Sequence, residues 1–346
     1  MPKETRRPGP YALLNRYREI GLLVVVLLLV ALVGLRNPSF ATPANLLFIL
    51  EDTAIMAILA AGMLCVLLVG SIDISISAIM AVSAMTVGII MRGQLTSAGA
   101  NVRQSLPLML LLLAGVGTGS VIGLLNGAII AYGRVLPIVT TLGMQYLLYG
   151  LNHILSGGSA IYRKDMSDAF FQFTRAEPLG VDSKIWIMLA VYAALLLFVT
   201  YFRHGRHMYA VGSNREAAAM RGIPVKRTIV TAHVIMGALA GLAGLLYASR
   251  DTKITQDMAN GYEMYVIAAC VIGGVAVTGG SGKVLGVLLG ALTIGVINNG
   301  LTMMRLTGSS EFWKKAIQGA LILGAIVSNV ALQRVTQRQN LLRRNI

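Results

Sequence analysis

Ser105-Leu-Pro-Leu-Met-Leu-Leu-Leu-Leu-Ala-Gly-Val-Gly-Thr-Gly-Ser-Val-Ile-Gly-Leu-Leu-Asn-Gly-Ala-Ile-Ile-Ala-Tyr132 is a run of 28 residues without a charged side chain. An α-helix rises about 1.5 Å per residue, so roughly 20 apolar residues cross a hydrocarbon core about 30 Å thick. The run exceeds that length and is apolar all round, which places it in lipid or deep in a bundle. It reads as a membrane-spanning helix.

The rest of the chain repeats the pattern. Ten segments have the composition of a crossing: 20–36, 53–70, 74–91, 105–132, 137–156, 185–202, 228–248, 263–279, 284–304 and 313–331. Of 346 residues, 56% are hydrophobic and 12% charged, against roughly 45–50% and 25% in soluble domains. The fold class expected is an all-α integral membrane protein of about ten transmembrane helices.

Ten crossings put both ends on one side. Both ends are basic, with Lys3, Arg6, Arg7, Arg16 and Arg18 at the start and Arg334, Arg338, Arg343 and Arg344 at the close. The loop 203–227 falls on the same side and carries Arg203, Arg206, Arg215, Arg221, Lys226 and Arg227. Basic loops mark the cytoplasmic face. The expected division is a basic cytoplasmic segment at 1–19, one transmembrane domain at 20–331, and a basic cytoplasmic tail at 332–346. Arg36-Asn-Pro-Ser-Phe40 lacks the small residues of a signal cleavage site, so the first helix is expected to be retained.

The net charge of +15 has no groove-reading motif beside it, so membrane lipid and not nucleic acid is its expected counterpart. Cys65 and Cys270 are far apart in apolar runs and form no metal or disulfide pattern. Thr278-Gly-Gly-Ser-Gly-Lys283 resembles a phosphate loop only superficially. Val277 stands at the first glycine of that pattern, and Val284 where Ser or Thr is needed. A tight turn between two helices is expected there, and no cofactor.

Polar residues at membrane depth are costly and hence informative. Gly70-Ser-Ile-Asp-Ile-Ser-Ile-Ser77 interrupts two apolar runs. Asp73 or Ser71 is placed to cap the helix that follows, or to meet a solute. Asn126, Gln145, Asn152, Asn298, Asn299 and Gln318 recur along the spans. They suit either a pathway for a hydroxyl-rich solute or hydrogen bonds between helices. His153 and His233 stand alone and read as structural. No Asp/Glu/His relay, metal cluster or nucleophile–base pair is visible, which argues against a proton-coupled carrier and against an enzyme.

Ser213-Asn214-Arg215-Glu216 has the spacing of a capping box, with Ser213 as the expected cap and Glu216 reaching back. Ala217, Ala218, Ala219 and Met220 favour helix, Gly222 suits a left-handed end, and Pro224 stops the helix. A stiff cytoplasmic helix of about two turns is predicted between two spans.

These residues resemble a known family. Glu216-Ala217-Ala218-x-x-x-Gly222-Ile223 is similar to the coupling motif of ABC importer permeases. Gly205-Arg206-His-Met-Tyr209-Ala210-Val211-Gly212-Ser213-Asn214 resembles its form in ribose-, arabinose- and xylose-type permeases. Ile72-Asp73-Ile74-Ser75, Gly123-Leu-Leu-Asn126-Gly127, Pro137-Ile-Val-Thr-Thr-Leu-Gly143, Gly261-Tyr262-Glu263 and Gly295-Val-Ile-Asn298-Asn299-Gly300 follow in family order. The likeness runs from about Pro38 to Val330. It departs at Ser71, Ser77 and Ser213, where the family usually has glycine.

The resemblance implies the inner-membrane permease subunit of a monosaccharide importer. It implies three partners: a second permease copy or relative, a double-domain ABC ATPase, and a periplasmic or lipid-anchored sugar-binding protein. Ser213, Asn214, Arg215, Glu216, Ala217, Ala218, Gly222 and Ile223 would couple to that ATPase. Autoinducer-2 and rhamnose systems share these motifs, and an amino acid or nucleoside permease is the alternative. The near absence of Lys and Arg from the spans favours a neutral solute.

Overall fold

The computed structural model describes residues 18–92 and 107–304, with a few helical positions beyond 315. The described chain runs α1 (Arg18–Arg36), α2 (Pro43–Leu68), α3 (Ile76–Arg92), α4 (Leu108–Gly133), α5 (Pro137–Ser156), β1 (Ile161–Tyr162), α6 (Asp168–Arg175) and α7 (Ser183–Tyr201). It continues through α8 (Arg203–Ser213), α9 (Arg215–Met220), α10 (Val225–Asp251), β2 (Lys253–Ile254), α11 (Tyr262–Ile272) and α12 (Val284–Met303). Among the described residues, α1, α2, α4, α7, α10 and α12 are long and apolar enough to cross a membrane. α3 and α11 are shorter apolar helices.

α2 is the axis of the bundle. Every residue from Thr53 to Val69 is buried, because α10, α12, α7 and α11 close around it. The helix begins at Pro43, ten residues before the expected 53. Thr42 caps it by accepting from Asn45 N at 3.4 Å, and Pro43 is preset for the first turn. Glu51 and Asp52 do not stop it, since Lys184 meets Glu51 at 2.9 Å and Arg250 meets Asp52 at 2.8 Å. α1 and α4 lie at the periphery, with Leu28, Leu32, Leu113 and Val121 exposed as a lipid-facing surface requires.

α4 and α10 pack most closely. A methyl on Gly119 would overlap the carbonyl of Gly237, and a methyl on Gly237 the carbonyl of Gly119. A methyl on Gly241 would overlap the Gly115 carbonyl, one on Gly115 would meet the Leu245 side chain, and one on Gly123 would overlap the carbonyl of His233. Spacing of four residues keeps these glycines on one helix face, so the two backbones approach and gain dispersion contacts that side chains would block. α11 and α12 use the same device at Gly273, Gly286 and Gly290.

The helix ends sort onto two faces. One holds the 69–75 break, the α8–α9 region, the turn 273–283 and the start of α1, where Glu19 meets Lys283 at 2.7 Å. The other holds α6, the antiparallel pair Ile161↔Ile254, and the Asn37 Nδ2 to Met303 carbonyl bond at 3.4 Å. The expected span 263–279 is shorter as a helix. It ends at Ile272 because Gly274 N–H bonds the Val271 carbonyl and Val275 N–H the Cys270 carbonyl, closing the helix in a Schellman turn. The segment 313–331, Gln318 included, lies largely outside the described residues, as do most of 1–19 and all of 332–346.

Candidate functional site

The connection from α7 to α10 forms two helices, not one. α8 continues through Ser213, so Ser213 is a helical residue and not the cap expected for it. The cap is Asn214. Its backbone is extended, and its side-chain oxygen accepts from Ala217 N at 2.9 Å. The register shifts by one residue because Asn214 breaks from helical dihedrals and frees its side chain to turn back on the next helix. α9 is correspondingly only six residues long. It closes as expected at Gly222, whose φ of +75° lets Ile223 N–H reach the Ala218 carbonyl at 3.1 Å.

α9 buries Ala218 and turns Glu216, Ala217, Ala219 and Met220 outward. Its inner side is fixed to the bundle. Arg215 Nη2 donates to the carbonyls of Val69 and Gly70 at 3.2 and 3.3 Å. Tyr209 donates to the Gly282 carbonyl at 3.0 Å; burial raises the Tyr209 phenol above its ordinary range and keeps it a neutral donor. Arg206 treats α7 as Arg215 treats α2, donating to the carbonyls of Thr200 and Tyr201 at 3.1 and 2.8 Å. A helix C-terminus offers unpaired carbonyls and negative potential, so a guanidinium suits both ends.

The 69–75 break lies beneath. Gly70, with φ +69°, turns the chain so that Ser71 N–H returns to the Val66 carbonyl at 3.1 Å. Asp73 is fully buried and accepts from Ser75 N–H at 2.9 Å and from the Ser75 hydroxyl at 2.6 Å. This turn leads directly into α3, whose first intrahelical bond runs from Ile79 N–H to the Ser75 carbonyl. Asp73 is therefore the residue that organises the start of α3, through Ser75. Ser71 has no hydrogen-bond partner for its hydroxyl among the described residues. Asn126 of α4 donates to Ser75 Oγ at 2.9 Å, and Ile74 N–H donates to Thr141 Oγ of α5 at 3.2 Å.

The remaining polar residues divide by depth. Gln145 and Tyr149 of α5 both donate to Ser77 of α3, at 3.3 and 3.2 Å. Asn152 donates to the Gln256 carbonyl at 2.8 Å, and Gln256 to Ser156 at 2.9 Å. Thr141, Gln145, Tyr149 and Asn152 thus form one polar face of α5 that ties it to neighbours along its length. Asn299 accepts from Asn45 at 3.2 Å near the opposite face, with half-buried Asn298 beside it. Asp73 and Asn126 meet in one cluster; Asn298 and Asn299 stand apart from it. Sequence reading passed over Thr141, Tyr149 and Gln256, although the spacing of Thr141, Gln145, Tyr149 and Asn152 is helical and signals a shared face. His233 is buried, with Nδ1 at 3.0 Å from the Ile229 carbonyl. Among the described residues, no group of three His, Cys, Asp or Glu side chains gathers as a metal site.

Residues 45–326 match the family described as branched-chain amino acid transport system / permease component. The chain is 34% identical to the ribose import permease protein RbsC of Escherichia coli strain K12 over 311 residues, 88% of this chain and 91% of that one. It is 33% identical to the L-arabinose ABC transporter permease protein AraH of Azospirillum brasilense, covering 93% and 89% of the two chains. Against the D-allose transport system permease protein AlsC of Escherichia coli strain K12 the identity is 30%, over 93% and 94%. No solved structure matches the chain. A helical bundle with this loop, these breaks and these relatives is a multi-pass inner-membrane protein, and it belongs to the branched-chain amino acid transport system / permease component family.

Proposed function

We propose that this permease subunit of an ATP-driven ABC importer carries a monosaccharide or a closely related neutral sugar. Relatives named for ribose, arabinose, allose and galactose transport support a sugar. Hydrolysis of ATP falls to a partner subunit, and delivery of the solute to a binding protein. In this reading ten spans thread the membrane with both termini cytoplasmic. The single observation that carries the coupling role is α9: a short helix with Glu216, Ala219 and Met220 outward and its inner side bonded to the end of α2. A double-domain ATPase would press on that outer surface. Ser213, Asn214, Arg215, Glu216, Ala217, Ala218, Gly222 and Ile223 make up the coupling segment, some facing the ATPase and some, such as buried Ala218, holding the helix in place, and a second permease copy or relative completes the transporter.

The polar residues then take distinct parts. Asp73 and Asn126 hold the break between α2 and α3, while Gln145 and Asn152 hold α5 against its neighbours. A solute crosses weakly bound, since tight binding midway slows release.

An amino acid would bring a carboxylate in need of a cation. The buried Lys184 is held at 2.9 Å by both Glu51 and Asp182, and Arg250 is held by Asp52 and Asp251. Neither is available, which favours a neutral solute. The test is uptake by proteoliposomes holding the permease, its ATPase and its binding protein. Labelled ribose, arabinose, allose or galactose should accumulate with ATP. Accumulation of leucine in their place would refute the sugar assignment.

A further inference from the structure

At the end of the central helix each carbonyl from Val66 to Gly70 accepts a hydrogen bond. Val66 and Leu67 are taken by the helix's own closing turn, through Ser71 N–H at 3.1 Å and Gly70 N–H at 2.9 Å. Leu68 accepts from Gly280 N–H at 3.0 Å. Val69 and Gly70 accept from Arg215. One helix terminus is therefore completed by three separate segments of chain, two of which lie far along the sequence.

Those segments also interlock by shape. A methyl on Gly212 would overlap the Leu68 carbonyl and Gly280 N. One on Gly279 would come within 2.8 Å of Gly70 N, and one on Gly280 within 2.7 Å of Ser213 N. The backbones of α8, the 279–280 turn and the α2 terminus come into close contact, with the Ser213 hydroxyl the one side chain at the seam that these glycines meet. Close-packed contacts of this kind transmit a displacement and do not absorb it.

Resting on the coupling role proposed for α9, we infer that Arg215 is the positioning residue that delivers α9's movement to the α2–α3 break. Arg215 is the first residue of α9, directly behind the cap. Its guanidinium spans two carbonyls whose dipoles attract it. When α9 is displaced, Val69 and Gly70 go with it. Five residues beyond Gly70, Ser75 carries the change to Asp73, and through Asn126 to α4. The start of α3 and the α4–α10 pair then move together. Glu216 is turned outward to the ATPase, while Arg215, itself an exposed residue, aims its Nη2 at the end of α2.

The experiment uses the complete importer in proteoliposomes and reads sugar transported per ATP hydrolysed. Arg215→Ala should lower that ratio about tenfold. Arg215→Lys should fall between it and the parent, because one ammonium nitrogen can donate to both carbonyls as Nη2 does, but from a shorter, more strongly hydrated side chain. A wild-type ratio in Arg215→Ala overturns the inference, and so does a ratio in Arg215→Lys as low as in Arg215→Ala. Glu216→Lys separates this failure from failure of the coupling role itself. If Glu216→Lys transports normally, α9 is not the docking helix; if it abolishes transport while Arg215→Ala keeps its ratio, only the inward link is wrong. The ratio is read on assembled complexes isolated through the permease, so that hydrolysis by unassembled ATPase does not imitate the expected result.

Discussion

Asn126 on α4 donates to Ser75 over 2.9 Å while Ser75 donates to Asp73 over 2.6 Å, so a buried carboxylate is joined to a neighbouring helix by one shared hydroxyl. Asn126 is itself fully buried. Removing it strips the Ser75 oxygen of its donor and leaves a small void. A lost partner of this type costs about 1–3 kcal/mol. Asn126→Ala should therefore lower the melting temperature in detergent and leave the KM for sugar unchanged. A raised KM at parental stability would instead make Asn126 a solute contact.

The α4–α10 seam gives a paired test. Gly119→Ala forces a methyl into the Gly237 carbonyl, which belongs to backbone and cannot rotate away. Gly117 has nothing within 4 Å of an added methyl. Overpacking costs roughly 1–3 kcal/mol, so Gly119→Ala should cut the folded yield and melting temperature while Gly117→Ala matches the parent. Equal behaviour of the two would refute the close pairing of these helices.

Reassignment of the cap from Ser213 to Asn214 has its own consequence. Asn214→Ala should weaken α9 by about 1 kcal/mol, and exchange of the Ala217 amide, which bonds Asn214, should accelerate. Ser213→Ala should leave that exchange rate alone. The opposite pattern would restore Ser213 as the cap.

Much of this architecture was legible in the residues. Lipid leaves backbone groups nothing to bond with except their own helix, so long apolar runs have one solution, and the nine expected spans that fall on described residues all appear as helices. Boundaries failed where partners lie elsewhere in the chain. The span expected at 53–70 begins ten residues earlier, across Glu51 and Asp52, whose partners Lys184 and Arg250 come from other helices. The 263–279 segment was read too long because apolar Val275, Ala276 and Val277 hid the helix end imposed by Gly273 and Gly274. In the loop 203–227 the composition pointed to a capped helix ending at Gly222, yet two adjacent capping residues cannot be ranked without the backbone angles. Arg215's inward bond was invisible for a different reason: its acceptors are main-chain carbonyls, which any sequence possesses.

Met220 stands on the outer side of α9 and is 83% exposed, the position nearest to a bare docking surface on that helix. The central claim is that an ATPase subunit occupies this surface. A cysteine introduced by Met220→Cys should therefore crosslink, through a short bifunctional reagent, to the ATPase of the assembled importer, with a yield that changes on ATP binding. Absence of any ATPase adduct, together with labelling of the same cysteine from outside intact cells, would contradict the account.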